Sequence, residues 1–137
     1  MFCLSTKGIY GAQALIELSL RHGNGVVQIK ELAESCQISK TYLEQLFNLL
    51  KKAEIVRSVR GNKGGYSLAR EPEEISLMDV MVALEGCIEI SKNVEVKGVL
   101  ESVFKDTENG IRDSLSVSLK ELADKEKVKN ENVTFYI

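Results

Sequence analysis

Apolar residues recur three or four positions apart through residues 5–23, 27–37 and 40–53 of the chain. This spacing places them on one face of a helix and predicts three amphipathic helices. Ser39 stands directly before the third helix and is a favourable N-cap, because its hydroxyl can accept a hydrogen bond from a free backbone N–H. The pattern therefore predicts a helical start to the fold.

The second and third helices have the spacing of a helix-turn-helix. Ala33 falls where the two helices would cross and only a small side chain fits, and Ile38 in the turn would fill the core between them. The third helix has a buried apolar stripe that includes Phe47, and its opposite face is polar. Because other helical hairpins share this pattern, the pattern alone leaves DNA binding and other roles open.

A cationic, glycine-rich hairpin is predicted next. Residues 55–60 and 65–70 alternate like strands and bracket the sequence GNKGG at 61–65. A helix-turn-helix followed by such a hairpin is a winged helix, in which Arg60 can enter a narrow minor groove and Lys63 can meet phosphate. The alternative is a solvated hairpin tip whose charges only prevent edge-to-edge pairing. The order of the elements favours the winged helix.

The C-terminal half is predicted to be helical as well. Residues 76–86 begin with a Ser-x-x-Asp variant of the capping box, and a short helix over 118–125 precedes a charged tail. Residues 97–115 carry an apolar helix face that needs a partner surface, and a second copy of the chain across a two-fold axis is the simplest one. We expect this dimerisation face to comprise Leu100, Phe104, Ile111 and Leu115.

Together these elements predict a mostly α-helical fold with one small β-hairpin. Residues 1–86 would form a winged helix-turn-helix DNA-binding domain. Residues 87–137 would add a connector, a long C-terminal dimerisation helix and a C-terminal tail, all forming one compact unit in the dimer. A chain of 137 residues is long enough to bury a substantial core.

The distribution of charge supports a nucleic-acid partner, although the net charge is only −2. Residues 1–70 carry ten Lys and Arg and five Glu, a balance of +5, whereas residues 71–137 carry eight basic and fifteen acidic residues, a balance of −7. A basic half joined to an acidic half indicates a basic working face. Chance clustering of charge is the plain alternative.

Composition argues against several other classes of protein. The N-terminus lacks the cationic and apolar segments of a secretory signal, and no apolar run approaches the ~18 residues of a membrane span. Three widely separated cysteines without a CxxC pair argue against a disulfide scaffold and a zinc ribbon. The chain has one histidine, and no Ser/His/Asp, Cys/His or paired-carboxylate arrangement stands at a useful spacing. Most acid–base schemes then lack their usual participant, which indicates that the chain is not an enzyme. We expect a cytoplasmic protein with no membrane partner.

Three motifs carry a resemblance to a known family. STKGIYG at 5–11, ISKTYLEQLF at 38–47 and VRGNKGGYSLA at 59–69 resemble the Rrf-type family of bacterial winged-helix transcriptional regulators. The similarity is strongest over residues 3–86 and weaker to the end of the chain. It implies a homodimer, paired through the long helix, that binds a roughly palindromic operator in double-stranded DNA.

The resemblance also implies which residues contact DNA. Tyr42 and Gln45 match base-reading positions of the family, and a glutamine amide can bond adenine. Glu44 would accept a hydrogen bond from cytosine or repel a wrong site, and Arg60 matches the minor-groove arginine. Ile9 stands where the family usually has arginine, which implies one backbone contact fewer. The complete predicted set is Lys7, Tyr10, Ser39, Lys40, Thr41, Tyr42, Glu44, Gln45, Ser58, Arg60, Lys63 and Gly64.

The segment after the winged helix differs from that of the cluster-binding members of this family. Those members place several cysteines in the connector, whereas here Cys87 stands alone and residues 90–108 contain no cysteine or histidine. An iron–sulfur cluster needs several thiolates that converge on one site. We therefore expect no metal and no cofactor within a single chain.

Family members that lack those cysteines, as this chain does, resemble the cysteine metabolism repressor branch. That resemblance implies a repressor controlled by association with cysteine synthase. We expect the C-terminal residues Phe135, Tyr136 and Ile137 to contribute to this association, because a free carboxylate behind two aromatic residues suits a backbone pocket. The alternative is that these three residues pack against the dimer.

Two rival functions stay open. In the first, the winged helix no longer binds DNA and serves as a protein-interaction adapter, which a DNA affinity insensitive to salt and to the loss of Arg60 would indicate. In the second, the chain binds DNA but senses a ligand, or senses redox conditions through the thiol of Cys3 or Cys87.

Overall fold

Six α-helices and one antiparallel hairpin make up the described part of the chain. The computed structural model describes the backbone of residues 3–135 and the side chains of residues 3–132. In chain order the elements are α1 (Thr6–Leu20), α2 (Ile29–Cys36), α3 (Lys40–Lys52), β1 (Val56–Val59), β2 (Gly65–Leu68), a 3-10 turn (Pro72–Glu74), α4 (Leu77–Glu85), α5 (Val99–Ser114) and α6 (Leu119–Phe135). This order confirms the predicted fold class, a winged helix-turn-helix followed by further helices.

Serine side chains cap the starts of α1, α3 and α4. Ser39 Oγ accepts a hydrogen bond from the backbone N–H of Tyr42 at 3.1 Å, which confirms the predicted cap of α3. Ser5 Oγ caps α1 at 3.2 Å, and Ser76 and Asp79 form a reciprocal capping box with both bonds at 3.0 Å. Each bond satisfies a backbone donor that the start of a helix otherwise leaves unpaired.

The hydrophobic core lies where α1 to α4, the start of α6 and the hairpin meet. Phe47 and the leucines of the predicted α3 stripe are fully buried within it. Ala33 and Ile38 are also buried, at the helix crossing and in the turn as the sequence predicts. Packing around these two residues holds α2 and α3 in the geometry of a helix-turn-helix.

The hairpin is anchored to α3 at its base. β1 and β2 pair in antiparallel register from Val56 opposite Leu68 to Val59 opposite Gly65. Val27, just before α2, forms a bridge to Tyr66 with two backbone hydrogen bonds of 2.8 Å, and the Tyr66 ring packs edge-on against Phe47 with ring centroids 4.9 Å apart. The wing is therefore fixed relative to the third helix.

The C-terminal segment differs from the prediction in one respect. A short helix over 118–125 followed by a tail was predicted, but α6 continues as one helix from Leu119 to Phe135. The segment after Lys125 contains no Gly or Pro, and lysine and glutamate are good helix formers. Ion pairs one helical turn apart, such as Lys120–Asp124 at 2.9 Å, add support. Tyr136 and Ile137, which belong to the predicted partner-binding tail, lie outside the described residues.

No helix within residues 3–135 is long and apolar enough to cross a membrane.

Candidate nucleic-acid interface

The outward face of α3 starts with a polar, exposed first turn. Lys40, Thr41 and Gln45 are exposed, and the predicted DNA contact Ser39 uses its hydroxyl to cap the helix. Lys40 and Glu44 form only a loose ion pair, with 3.9 Å between Nζ and Oε1. A pair this long and exposed contributes little to stability, so both groups can rearrange toward a ligand.

Tyr42 is positioned by α1. Its hydroxyl forms a hydrogen bond with Thr6 Oγ1 at 2.7 Å, and its ring meets that of Tyr10 edge-on with centroids 6.2 Å apart. Lys7, the residue after Thr6, is exposed. The predicted contacts of α1 and α3 therefore lie side by side, which sequence spacing alone does not reveal.

The wing presents two cations without carboxylate partners. Arg60 and Lys63 are exposed, and neither forms an ion pair within the described part of the chain. Unpaired charges at a loop tip are available to neutralise phosphate or to enter a groove of negative potential. Ser58 is half-buried in β1, opposite Tyr66.

Gly64 has a structural role inside the wing. Its backbone N–H donates to the carbonyl of Gly61 at 3.0 Å. A methyl group at this position would collide with the carbonyl oxygen of Val59. The backbone of the wing therefore approaches itself too closely at Gly64 for any side chain to fit there.

A basic concavity beside β1 extends the charged surface of the wing. It is an open cavity of about 680 Å³ that includes the predicted DNA contacts Ser58 and Arg60. The other charged residues that line it are three cations outside the predicted contact set and one carboxylate: Lys51, Arg57, Arg70 and Glu54. The only signal for these cations in the sequence is the positive balance of residues 1–70.

α5 leaves apolar side chains exposed. Val99 is 82% exposed, Leu100 53% and Val103 50%, and no residue of α5 is buried. Of the predicted dimerisation residues, Phe104 and Ile111 are half-buried, and Leu115 packs against the core of its own chain. Val99 and Val103 lie outside the predicted set, although Val103 is one helical turn from both Val99 and Leu100.

Residues 4–125 match the Rrf2 family, which is described as "Iron-dependent Transcriptional regulator". The chain belongs to the Rrf2 family.

Relatives of this Rrf2 protein carry the same fold over most of their length. The HTH-type transcriptional regulator CymR of Bacillus subtilis is 38% identical over 139 residues, covering 98% of this chain and 99% of that protein. The solved structure of CymR, the global cysteine regulator of B. subtilis, superimposes with a TM-score of 0.83 at 35% identity, over 91% of this chain and 98% of that one. The solved structure of T. potens IscR superimposes with a TM-score of 0.76 at 35% identity, over 91% of this chain and 88% of that one. This Rrf2 protein is a DNA-binding transcriptional regulator.

The iron in the family description does not fit the residues of this chain. Cys3 precedes α1, Cys36 ends α2 and Cys87 follows α4, and all three are free thiols. Among the described residues, no group of three His, Cys, Asp or Glu side chains could hold a metal ion. A cluster needs converging thiolates, and this arrangement supplies none.

Proposed function

We propose that this Rrf2 protein acts as a homodimeric repressor that reads its operator with α3 and the wing. The observation that carries the proposal is the exposed polar start of α3 beside the unpaired wing cations Arg60 and Lys63. In this reading mode the N-terminal turn of α3 enters the major groove and the wing follows the adjacent minor groove.

Within the major groove, Gln45 and Tyr42 are proposed to contact base edges. A glutamine amide can donate to and accept from adenine, and Glu44 can accept from the amino group of cytosine. Ser39, Lys40 and Thr41 stand at the helix start, where hydroxyls and backbone N–H groups suit phosphate oxygens. Two further proposed phosphate contacts, Lys7 and Tyr10, come from α1.

The wing is proposed to supply the minor-groove contact. Arg60 provides the charge that a narrow minor groove attracts, while Lys63, Ser58 and Gly64 meet the neighbouring backbone. This division assigns base discrimination mainly to α3 and affinity mainly to the wing.

Removal of the Arg60 charge tests this function. The operator is first selected from a random DNA library, and affinity is then measured by fluorescence anisotropy over a range of salt concentrations. Arg60→Ala is expected to weaken binding by about 1–3 kcal/mol and to flatten the salt dependence by about one unit of slope. Lys127→Ala on α6 is the control, because it removes one positive charge far along the chain from α3 and the wing.

An adapter that does not bind DNA would give a different result. Its DNA affinity would be weak and nearly independent of salt, and Arg60→Ala would match the wild type. That outcome would exclude the proposed reading mode.

We further propose that the biological unit is a dimer paired through α5. Exposed valine and leucine side chains on a helix with no buried residue support this assignment, because an unpartnered apolar face is costly in water. A two-fold dimer would also present two copies of α3 to the two halves of a palindromic operator.

The regulated genes are proposed to serve cysteine metabolism. Similarity to CymR over 98% of the chain supports this assignment. We propose cysteine synthase as the controlling partner, with Phe135, Tyr136 and Ile137 contributing to the contact. Calorimetric titration of the purified regulator with cysteine synthase tests the association, and deletion of residues 135–137 should weaken it. Unchanged affinity after the deletion would remove the tail from the interface.

A further inference from the structure

Glu85 joins the end of α4 to the start of α1. It is the last residue of α4, and only the helix C-cap, Gly86, separates it from the connector. Its carboxylate oxygen Oε1 accepts three hydrogen bonds, from Ser5 N at 2.8 Å, Ser5 Oγ at 2.7 Å and Gly8 N at 2.9 Å. One oxygen therefore holds the N-cap residue and the first turn of a helix that begins nearly eighty residues earlier.

Charge and hydrogen bonding favour the ionised form of this carboxyl group. Burial acts to raise the pKa of Glu85, but the hydrogen bonds from Ser5 and Gly8 and the positive charge of Lys7 outweigh burial, so the pKa lies below its ordinary value. A carboxylate at a helix N-terminus is also stabilised by the partial positive charge of the helix dipole.

Two glycines make the contact between the helices possible. A methyl group on Gly8 would lie 2.7 Å from Glu85 Oε1 and 3.0 Å from Met81 Sδ. A methyl group on Gly11 would collide with Leu84 Cδ1. The glycines of STKGIYG thus allow α4 to approach α1 closely enough for Glu85 to reach the backbone of α1.

The segment that Glu85 holds is the same segment that holds Tyr42. Thr6 lies between Ser5 and Gly8, and its hydroxyl bonds the hydroxyl of Tyr42 at 2.7 Å. One turn further along α1, Tyr10 packs against the Tyr42 ring. A displacement of the start of α1 would therefore change the position of Tyr42 on the DNA-facing side of α3.

We propose that Glu85 is a positioning residue for the DNA-reading surface: its carboxylate fixes the start of α1, and α1 in turn fixes Tyr42. This inference rests on the proposed role of Tyr42 in DNA recognition. It also places the end of α4, and with it the connector that follows Gly86, in physical continuity with the recognition helix.

Three variants test this role in the full-length protein. Glu85→Ala removes all three hydrogen bonds, whereas Glu85→Gln keeps a neutral acceptor oxygen at the same distance. Glu89→Ala is the matched control, because it removes an exposed carboxylate four residues further along the chain. Affinity for the selected operator is measured with active protein titrated stoichiometrically, so that any unfolded fraction does not enter the dissociation constant.

Glu85→Ala is expected to weaken operator binding about tenfold, the size associated with loss of hydrogen bonds to a charged group. Glu85→Gln should recover part of this loss, and Glu89→Ala should bind like the wild type. In the DNA-free protein, nuclear Overhauser contacts from the Tyr42 ring to Thr6 and Tyr10 should disappear in Glu85→Ala and persist in the other two variants.

A double-mutant cycle with Tyr42→Phe isolates the route of the effect. If Glu85 acts through the Thr6–Tyr42 hydrogen bond, Glu85→Ala will cost much less affinity in the Tyr42→Phe background. Equal costs in both backgrounds would overturn the proposal, as would intact Tyr42 contacts in Glu85→Ala.

Arg60→Ala separates this inference from the proposed function. Weakened binding by Arg60→Ala together with wild-type binding by Glu85→Ala would overturn the positioning role alone. Indifference of the DNA affinity to both substitutions would overturn the proposed function itself.

Discussion

Phe47 shows how one side chain connects α3 to the wing. It is fully buried, and its ring packs edge-on against Tyr66 of β2 with centroids 4.9 Å apart. An aromatic pair in this geometry contributes beyond the area that it buries. The side chain therefore serves both the core and the relative placement of α3 and the hairpin.

Truncation of Phe47 should be costly. Phe47→Ala is expected to lower the free energy of unfolding by about 3–5 kcal/mol, because it removes apolar contacts and leaves a cavity. Urea denaturation followed by circular dichroism measures this change. Asn48→Ala is the control, because Asn48 is the next residue and is exposed. Its free energy of unfolding should stay close to that of the wild type. Similar midpoints for the two variants would contradict the central position of Phe47.

Cys36 should be the least reactive of the three described thiols. Burial, and next the negative charge of Glu17, raise the pKa of Cys36, and Arg21 opposes them only in part. A raised pKa means less thiolate at any given pH, and the thiolate is the reactive form. Time-resolved mass spectrometry should show slower alkylation of Cys36 than of the exposed Cys3 and Cys87, with its rate rising only at higher pH. Equal rates for all three would contradict this environment.

At the scale of elements, the junction of α1 and α4 has a measurable acid dependence. The pKa of Glu85 lies below its ordinary value of 4.5 in the folded chain, so between these two values the unfolded state binds more protons than the folded state. The stabilisation from Glu85 is therefore complete above the ordinary pKa and is lost as the pH falls through the folded-state pKa.

Urea unfolding midpoints between pH 7 and pH 3 test this dependence. The wild type should lose more stability on acidification than Glu85→Gln, which cannot titrate at this position. Glu89→Gln removes a carboxylate that makes no such contacts with α1, so its curve should run parallel to that of the wild type. Parallel curves for all three proteins would show that the junction does not depend on the charge of Glu85.

At the scale of the whole molecule, the exposed face of α5 predicts the oligomeric state. Val103→Glu places a charge within the apolar face and is expected to shift the protein from dimer to monomer in sedimentation experiments. Operator affinity should fall with it, because two half-sites are bound more tightly by a linked pair of domains than by separate ones. Asn109→Glu introduces a negative charge at an exposed position on the polar side of α5 and should remain dimeric. A dimeric Val103→Glu protein would assign the interface elsewhere.

Local signals explain why much of the winged helix could be predicted. Ser39, Ser76 and Asp79 act within one helical turn, and the spacing of apolar residues along α3 depends only on helix geometry. The hairpin follows from alternation around a glycine-rich segment. Each of these features involves residues close together in the sequence, so the chain itself determined the order and type of the elements from α1 to α4.

Contacts between distant residues were decided only in the tertiary structure. Glu85 bonds Ser5 across 80 positions, and Tyr42 bonds Thr6 across 36, yet neither pair has a spacing that marks it in the sequence. Leu115 continues the apolar pattern of α5 but packs inward, because the chain turns just after Ser114. Local propensity specifies helices, turns and caps. Which side chains meet across helices depends on how closely the backbones approach, and here Gly8 and Gly11 permit that approach.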